Sequence, residues 1–488
     1  MKRILLLIVF ICCSLLLLQN CSKDKDGKTA ATTFAISNVL GDNMVVQRDK
    51  PCQVWGTAVS GTKITVQASW NSAELSATAD NSGSWIVSIP AASANANPQT
   101  IAVSANGKAV ATLKNILIGD VWVCSGQSNM VKTLDSVLNS SAEIAAANYP
   151  QIRMATLASS YQKVQALKLN KPAPWLICSP QNAVNFSAIA YYFGQKLNTT
   201  LQVPIGLVVS AVAGSQCEEW VSDSTLTAST LLENYYGGSG TSLLYNGMIH
   251  PLGNLSIKGF IWYQGESNRY NTPPSNYTVL NSALISNWRA LFKQGVLPFY
   301  LVQVAPFDIE YSPITNKGAP ATADDYAFFR EAQANVRAVT ATGMAVTMDV
   351  GDSTTIHPKN KKPVGQRLAL LALKNDYGQN VQCLGPQYSS YTVSSNVATI
   401  SFVSGTAEGL NTINNAQMAQ YFFVAGPDKI FRQAVATISG NQVIVTAPAG
   451  TPLPIAAIRY AFTNYPITNL QNSADLPMEP FRTDNWSK

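Results

Sequence analysis

Histidine is scarce in this sequence: the 488 residues include only two, His250 and His357. Histidine is the side chain that most often acts as a general base near neutral pH, so the choice of a base is narrow. Two separated histidines also argue against a histidine-based metal site. We therefore expect no metal and no organic cofactor.

Cysteines are few and scattered, and none of them forms a C-x-x-C pair. Three lie in the N-terminal segment, and the remaining five are odd in number and far apart. This pattern indicates neither a disulfide framework nor a zinc site, so we expect most of the five to be small buried residues. They are Cys52, Cys124, Cys178, Cys217 and Cys383.

Charge is also low. Charged residues make up 12% of the chain, hydrophobic residues make up 47%, and the net charge is +6. A charge this small, spread over such a length, is not that of a nucleic-acid-binding protein. The apolar content excludes disorder as the state of most of the chain and indicates a large buried core divided over several domains.

Residues 1–20 have the features of an export signal. Lys2 and Arg3 precede an apolar run that is shorter than the ~20 residues needed to span a bilayer. "LLLLQNC" resembles a bacterial lipobox with Cys21 as the lipidated residue, although Gln19 and Asn20 depart from the usual small residues and leave an ordinary cleaved signal open.

Residues 21–32, beginning "CSKDKDGKTA", form a polar tether, which resembles the export signal of surface lipoproteins in Bacteroidetes. We expect an exported protein, anchored by lipid in the outer membrane on its periplasmic or cell-surface face.

Three regions follow. Residues 33–115 alternate in short runs such as "KITVQASW", separated by turns such as "DNSG", which predicts an N-terminal β-sandwich domain. Residues 116–375 alternate apolar strands with amphipathic helices, which predicts an α/β domain around a mostly parallel sheet. Residues 376–488 return to strand patterns and predict a C-terminal β-domain or extension.

Four polar clusters follow strands of the α/β region, where ligands of such sheets bind. They are "GQSNM" (126–130), "SAVAGSQCEEW" (210–220), "WYQGESN" (262–268) and "MDVGDSTTIHPKNKKPVGQRLA" (348–369). The first is not the G-x-S-x-G motif of many esterases, because Met130 stands where the second glycine would be. Taken alone, this stretch favours a Ser128 that caps a helix N-terminus over a catalytic one.

Together these clusters resemble the sialate O-acetylesterase family, which belongs to the SGNH-hydrolase class of carbohydrate esterases. The resemblance extends to "FSAIAYYFGQKL" (186–197), "LLYNGMIHPL" (243–252) and "LPMEPFRTDNW" (476–486). It implies an α/β fold of SGNH-hydrolase (flavodoxin-like) type, a three-layer α/β/α domain at 116–375, with β-sandwich-like regions on both sides.

The resemblance also implies catalytic roles. Ser128 matches the nucleophile, and His357 matches the general base, whereas His250 lies in a stretch that the family uses for framework. The oxyanion hole would consist of the Ser128 N–H, the Gly214 N–H and the side-chain amide of Gln264. The family often has two glycines in the second cluster, and the first of these is Ala213 here.

We expect three further residues to line the substrate site, namely Gln127, Trp220 and Glu266. Glu266 could also suggest a glycoside hydrolase, because Glu218 and Glu219 are nearby in sequence. Such enzymes need two carboxylates that flank one bond, and no second acid at a strand end pairs with Glu266.

The third catalytic member is where the sequence departs from the family. The class usually places an aspartate three residues before the histidine, or sometimes two, and here those positions are Thr354 and Thr355. The remaining candidates are Asp352, Asp349 and a backbone carbonyl that would fix the imidazole tautomer. Of these, we expect Asp352 to be the acid.

The sequence thus predicts a serine esterase that removes O-acetyl groups from carbohydrates, with O-acetylated sialic acids as the first candidate substrates. Two alternatives remain. One is an acetylesterase that acts on plant polysaccharides such as acetyl-xylan. The other is a non-catalytic, carbohydrate-binding surface lipoprotein.

Overall fold

The structure is a computed structural model, and it describes residues 33–269, 273–308 and 325–486. The predicted export signal, Cys21 and the tether lie outside the described residues. No helix in the described ranges is both long enough and apolar enough to cross a membrane.

The N-terminal region consists of β-strands, as its alternating pattern predicts. A three-stranded antiparallel sheet has the order β1-β3-β6, and β5, β4 and β7 pair in that order and continue through β7 onto β8. The strands are β1 (Ala35–Ile36), β2 (Val45–Gln47), β3 (Cys52–Thr57), β4 (Lys63–Ala68), β5 (Leu75–Thr78), β6 (Ser84–Ile89), β7 (Asn95–Ala105) and β8 (Lys108–Gly126).

Strand β8 is 19 residues long and belongs to both the N-terminal and the central sheet. It pairs antiparallel with β7 along its first part and parallel with β2 at Leu117–Gly119. Its last part lies between two parallel neighbours, with side chains facing alternately toward two separate apolar cores. The predicted domain boundary at 115/116 falls inside this strand, and the division into domains stays a prediction.

The central sheet has the order β10-β9-β11-β8-β12-β13-β14, and every pairing is parallel except that of the edge strand β10. Without the β9–β10 edge, this is the 2-1-3-4-5 order of flavodoxin-like sheets. The strands are β9 (Tyr149–Thr156), β10 (Leu176–Cys178), β11 (Ile205–Ala211), β12 (Gly259–Tyr263), β13 (Phe299–Val302) and β14 (Thr342–Ala345).

Helices cover both faces of this sheet. Apolar residues of α4 and α9 pack in the core on one face, and those of α7 and α8 pack in the core on the other. The predicted three-layer SGNH-type α/β fold is therefore confirmed. The helices are α1 (Ser128–Val131), α2 (Ser140–Ala145), α3 (Pro180–Ala183), α4 (Ala188–Leu201), α5 (Asp223–Leu226), α6 (Thr230–Glu233), α7 (Asn276–Phe292), α8 (Asp325–Asn335) and α9 (Lys362–Asn375).

The C-terminal region also consists of strands, in two four-stranded antiparallel sheets and one short pair. Ion pairs fasten it to the central domain, for example from Arg482 to Glu331 of α8. The strands are β15 (Tyr388–Ser394), β16 (Val397–Phe402), β17 (Asn411–Thr412), β18 (Phe422–Ala425), β19 (Arg432–Gln433), β20 (Val435–Ser439), β21 (Gln442–Thr446), β22 (Ala457–Tyr460), β23 (Leu470–Gln471) and β24 (Phe481–Arg482).

Candidate active site

Ser128 stands at the point where the order of the parallel sheet reverses. The chain leaves β8, turns at Gly126 and enters the short helix α1 at Ser128. Gly126 has a φ of 137°, and a Cβ there would lie 2.1 Å from the carbonyl oxygen of Tyr263. Only glycine fits this turn, and the turn directs Ser128 to the edge of the sheet where such folds bind ligands.

The side chain of Ser128 meets the predicted base. His357 Nε2 lies 2.7 Å from Ser128 Oγ, and both residues are partly exposed. Ser128 does not cap the helix. It is the first residue of α1, whereas the N-cap residue is Gln127, which makes no side-chain capping hydrogen bond. A hydroxyl within hydrogen-bond reach of an imidazole is the arrangement by which a base activates a nucleophile.

The environment of His357 favours the neutral imidazole. Partial burial is the largest cause that lowers the pKa of His357 below its usual value. The positive charges of Lys132 and Lys361 lower it further. A neutral ring can accept a proton from Ser128, whereas a protonated ring cannot.

The structure does not bring a carboxylate to His357. Asp352 instead turns back on its own loop, where its Oδ1 accepts hydrogen bonds from Thr354 N and Thr354 Oγ1, both at 2.8 Å. Asp349 is held by the guanidinium of Arg367 at 2.7 and 2.6 Å. Within the described ranges, His357 Nδ1 has no hydrogen-bond partner, so neither aspartate nor a carbonyl braces the ring.

A buried polar network lies behind the Ser–His pair, and the sequence analysis missed two of its members. Asn129 Nδ2 donates to Glu266 Oε1 at 2.5 Å and to the carbonyl oxygen of Ile356 at 2.9 Å. Lys361 Nζ donates to Asn129 Oδ1 at 2.5 Å. Asn129 therefore joins the nucleophile helix to the residue that precedes His357. The signal was present, since all of these residues belong to the clusters that carry Ser128, Gln264 and His357.

Burial dominates the electrostatics of this network. It raises the pKa of Glu266, although Asn129, Lys361 and Arg269 oppose the rise. Burial likewise lowers the pKa of Lys361 to about 7, opposed by Glu266 and assisted by Lys132. Glu266 is 1% exposed, so it braces the interior and does not line the substrate site as predicted.

Two of the three predicted oxyanion donors are free to bind an oxyanion. The N–H groups of Ser128 and Gly214 have no acceptor among the described residues, and Gly214 is exposed with a φ of 77°. Gln264 differs, because it is completely buried. Its Nε2 lies within 3.3 Å of three internal acceptors, which are Gln127 Oε1, Ser215 O and Asn268 Oδ1.

Gln127 and Trp220, predicted to contact substrate, also lie inside the protein. Gln127 Oε1 accepts from the backbone N–H groups of Gly265 and Ser267 at 3.3 and 3.2 Å, which joins the first and third clusters. Trp220 is completely buried, and its Nε1 donates to Ser215 Oγ. His250 is a framework residue, as expected, with Nδ1 against the carbonyl oxygen of Ala166.

A parallel sheet of this order, with a serine and a histidine in contact at its carboxyl edge, defines an SGNH-type hydrolase. Residues 118–374 match the family described as "carbohydrate esterase, sialic acid-specific acetylesterase". The chain belongs to this family, which confirms the resemblance seen in the four clusters. It is a carboxylic ester hydrolase of the carbohydrate esterase type.

Individual relatives support the same family assignment. The chain is 31% identical to human sialate O-acetylesterase over 74% of each protein, and 28% identical to the mouse protein over 93% of this chain and 95% of that one. A crystal structure of a carbohydrate acetylesterase from Xanthomonas citri superposes with a TM-score of 0.83 at 34% identity. That superposition covers 93% of this chain and 100% of the other.

Proposed function

We propose that this enzyme removes O-acetyl groups from carbohydrates through an acetyl-serine intermediate. The observation that carries the proposal is the 2.7 Å contact between Ser128 Oγ and His357 Nε2. Ser128 Oγ attacks the acetyl carbonyl carbon while its proton moves to His357 Nε2. The N–H groups of Ser128 and Gly214 then hold the negatively charged oxygen.

The tetrahedral adduct collapses when His357 returns the proton to the sugar oxygen, and the deacetylated sugar leaves. Water then attacks the acetyl-serine and gives its proton to His357. As the second adduct collapses, that proton passes to Ser128 Oγ and acetate departs. Every proton moves between the substrate, water and this one pair of side chains.

The proposed mechanism uses a Ser–His pair without a catalytic aspartate. The Asn129 network holds the backbone that precedes His357, and we infer that this network orients the imidazole without an adjacent carboxylate. Replacing Asp352 by asparagine should therefore change kcat/KM by less than about fivefold, whereas loss of a true triad aspartate lowers kcat ~10⁴-fold. Steady-state kinetics on p-nitrophenyl acetate decide between the two. A loss of several orders of magnitude would restore Asp352 as the catalytic acid.

The substrates that we propose first are O-acetylated sialic acids. The names of the mammalian relatives support this choice, and so does Lys132, whose positive charge acts on His357. No hydrogen bond or ion pair of the Lys132 ammonium occurs within the described ranges, so it is available to a sugar carboxylate. Measuring acetate release from O-acetylated sialic acid and from acetyl-xylan tests the assignment. A clear preference for acetyl-xylan would replace it with the polysaccharide alternative.

The effect of Lys132 on His357 leads to a prediction about the pH dependence of kcat/KM. Because the pKa of His357 is lowered, the base stays neutral to a lower pH than an ordinary histidine, and the acidic limb of the kcat/KM profile should lie below pH ~6.5. Lys132→Gln removes one of the two charges that lower this pKa, so the limb should move to higher pH. Raising the salt concentration should move the wild-type limb the same way, through screening. An unchanged limb in the variant would contradict this role.

The cellular location remains a proposal from the sequence. We infer that the protein is exported and that lipid on Cys21 anchors it in the outer membrane, which the basic and apolar residues 1–20 support. Metabolic labelling with a fatty-acid analogue tests this, and label that persists after Cys21→Ser would rule out that residue as the attachment site.

A further inference from the structure

A cavity of about 470 Å³ is lined in part by residues that follow Gly214 in the chain. One wall is the segment from Gln216 to Glu219, and the other is the loop from Asn234 to Thr241. Its volume is within the ~300–1,000 Å³ typical of small-molecule sites. The reaction mechanism proposed above uses none of the residues that line it.

Hydrogen bonds connect this cavity to the oxyanion side of the active site. Gln216 Nε2, at the cavity wall, donates to the carbonyl oxygen of Ser267 at 3.3 Å. Ser267 Oγ in turn donates to the carbonyl oxygen of Gly214 at 3.1 Å. Since Gly214 is only two residues before Gln216, we expect a ligand in the cavity to lie near a substrate whose ester is at Ser128.

Two carboxylates in the wall are held in place by few hydrogen bonds and keep acceptor capacity for a ligand. Glu218 Oε2 accepts from Asn268 Nδ2 at 2.8 Å, and Glu219 Oε1 accepts from the backbone N–H of Gln216 at 2.7 Å. In the described part of the chain, the second oxygen of Glu219 has no hydrogen-bond partner, and the only further hydrogen bond to the Glu218 carboxylate comes from its own backbone N–H. Burial raises the pKa of both groups, which marks them as sheltered from water. Free carboxylate oxygens accept hydrogen bonds from hydroxyl groups.

The rest of the lining suits an uncharged polyol. The side-chain amides of Asn234 and Asn276 have no hydrogen-bond partner within the described residues, so they offer both donors and acceptors. None of the described lining residues is lysine or arginine, and two carboxylates repel an anion.

Aromatic surface borders the same place. Tyr235 is one of the residues that line the cavity. Tyr161 is 51% exposed, and partial burial, together with the nearby charge of Glu219, raises the pKa of its phenol. Amphipathic rings of this kind present an apolar face together with a polar tip, a surface that suits a sugar ring.

We propose that this cavity binds a neutral glycosyl unit next to the acetylated sugar, with hydroxyl groups of that unit donating to Glu218 and Glu219. The inference rests on the proposed function, because it assumes an acetylated carbohydrate at Ser128. It makes the substrate an oligosaccharide in which the deacetylated residue is linked to an uncharged sugar.

The test compares an O-acetylated monosaccharide with a disaccharide in which the same acetylated sugar is linked to a neutral hexose. The wild-type enzyme should show kcat/KM about tenfold higher for the disaccharide, and a uronic acid in place of the hexose should remove the advantage. Glu219→Gln keeps the acceptor for Gln216 N but removes the charge, and it should bring the disaccharide-to-monosaccharide ratio close to one. Ser239→Trp, which fills the cavity from its exposed loop, should do the same without altering a carboxylate.

The matched control is Glu233→Gln, which removes the same charge from an exposed position at the end of α6, outside the cavity lining. It should keep the wild-type ratio. If the wild-type enzyme releases no acetate from either sugar or from p-nitrophenyl acetate, the proposed function itself fails. If it hydrolyses them without preferring the disaccharide, or if the preference survives both cavity variants, only the cavity proposal is overturned.

Discussion

Replacing Ser128 by alanine should lower acetate release from p-nitrophenyl acetate by ~10⁴- to 10⁶-fold, the range found when the nucleophile of a serine hydrolase is removed. The variant keeps the imidazole and the two open N–H groups but has no oxygen to form the acetyl intermediate. The residual rate would come from binding and from stabilisation of the oxyanion.

This variant should remain folded. Ser128 is partly exposed, and among the described residues its hydroxyl makes one hydrogen bond, to His357, so the free energy of unfolding should change by less than about 1.5 kcal/mol. The matched control is Ser140→Ala, because Ser140 is also the first residue of a short helix, α2, and should keep full activity. Activity above a tenth of wild type in Ser128→Ala would remove Ser128 as the nucleophile.

Replacing Asn129 by alanine should affect both stability and rate. The change removes three hydrogen bonds and leaves Lys361 and Glu266 buried without the amide between them. Unsatisfied buried groups of this kind destabilise a protein by about 1–3 kcal/mol each, so we expect a loss of about 3 kcal/mol in chemical denaturation. Because the Ile356 carbonyl is also released, His357 should lose its alignment, and kcat should fall about 100-fold.

A positioning role differs from a merely structural one in its kinetics. At a temperature where Asn129→Ala is fully folded, kcat should fall while KM changes little, because Asn129 is completely buried and contacts no substrate. The exposed Asn81 supplies the control, and Asn81→Ala should leave both stability and kcat as they are. A folded Asn129→Ala protein with wild-type kcat would show that the network does not orient the base.

The sequence predicts the architecture from its local pattern, and the resemblance of its four polar clusters to the family predicts the Ser–His pair. Alternating apolar strands and amphipathic helices require a parallel sheet, and parallel strands bring their carboxyl ends to one edge. Ser128 and His357 are 229 residues apart in the chain, yet both belong to polar clusters that follow buried strands. Their meeting therefore follows from topology.

The direction of each side chain is harder to predict from sequence than its place at a strand end. Gln127, Gln264, Glu266 and Trp220 all lie in strand-end clusters, but their side chains turn inward and join the clusters to one another. Sequence position locates a residue at the edge of the sheet, whereas neighbouring backbone and packing decide whether it faces substrate or interior. Asn129 and Lys361 were missed for the same reason.

Asp352 illustrates a second limit. An aspartate whose carboxylate accepts the backbone N–H two residues later forms an Asx turn, and the bond from Thr354 N to Asp352 Oδ1 is such a contact. This local bond competes with any distant partner. Nearness in sequence to His357 therefore did not bring the carboxylate to the ring.

The length of β8 has a consequence for how the molecule can move. The backbone that ends two residues before Ser128 begins at Lys108, among the strands of the N-terminal region, and hydrogen bonds hold it to neighbours on the way. A rotation of the N-terminal sheet against the central one would have to bend this single strand or break its ladder. Strand β8 therefore resists rotation between the two sheets that share it. Ser128, two residues beyond its end, is held in a fixed position relative to both sheets.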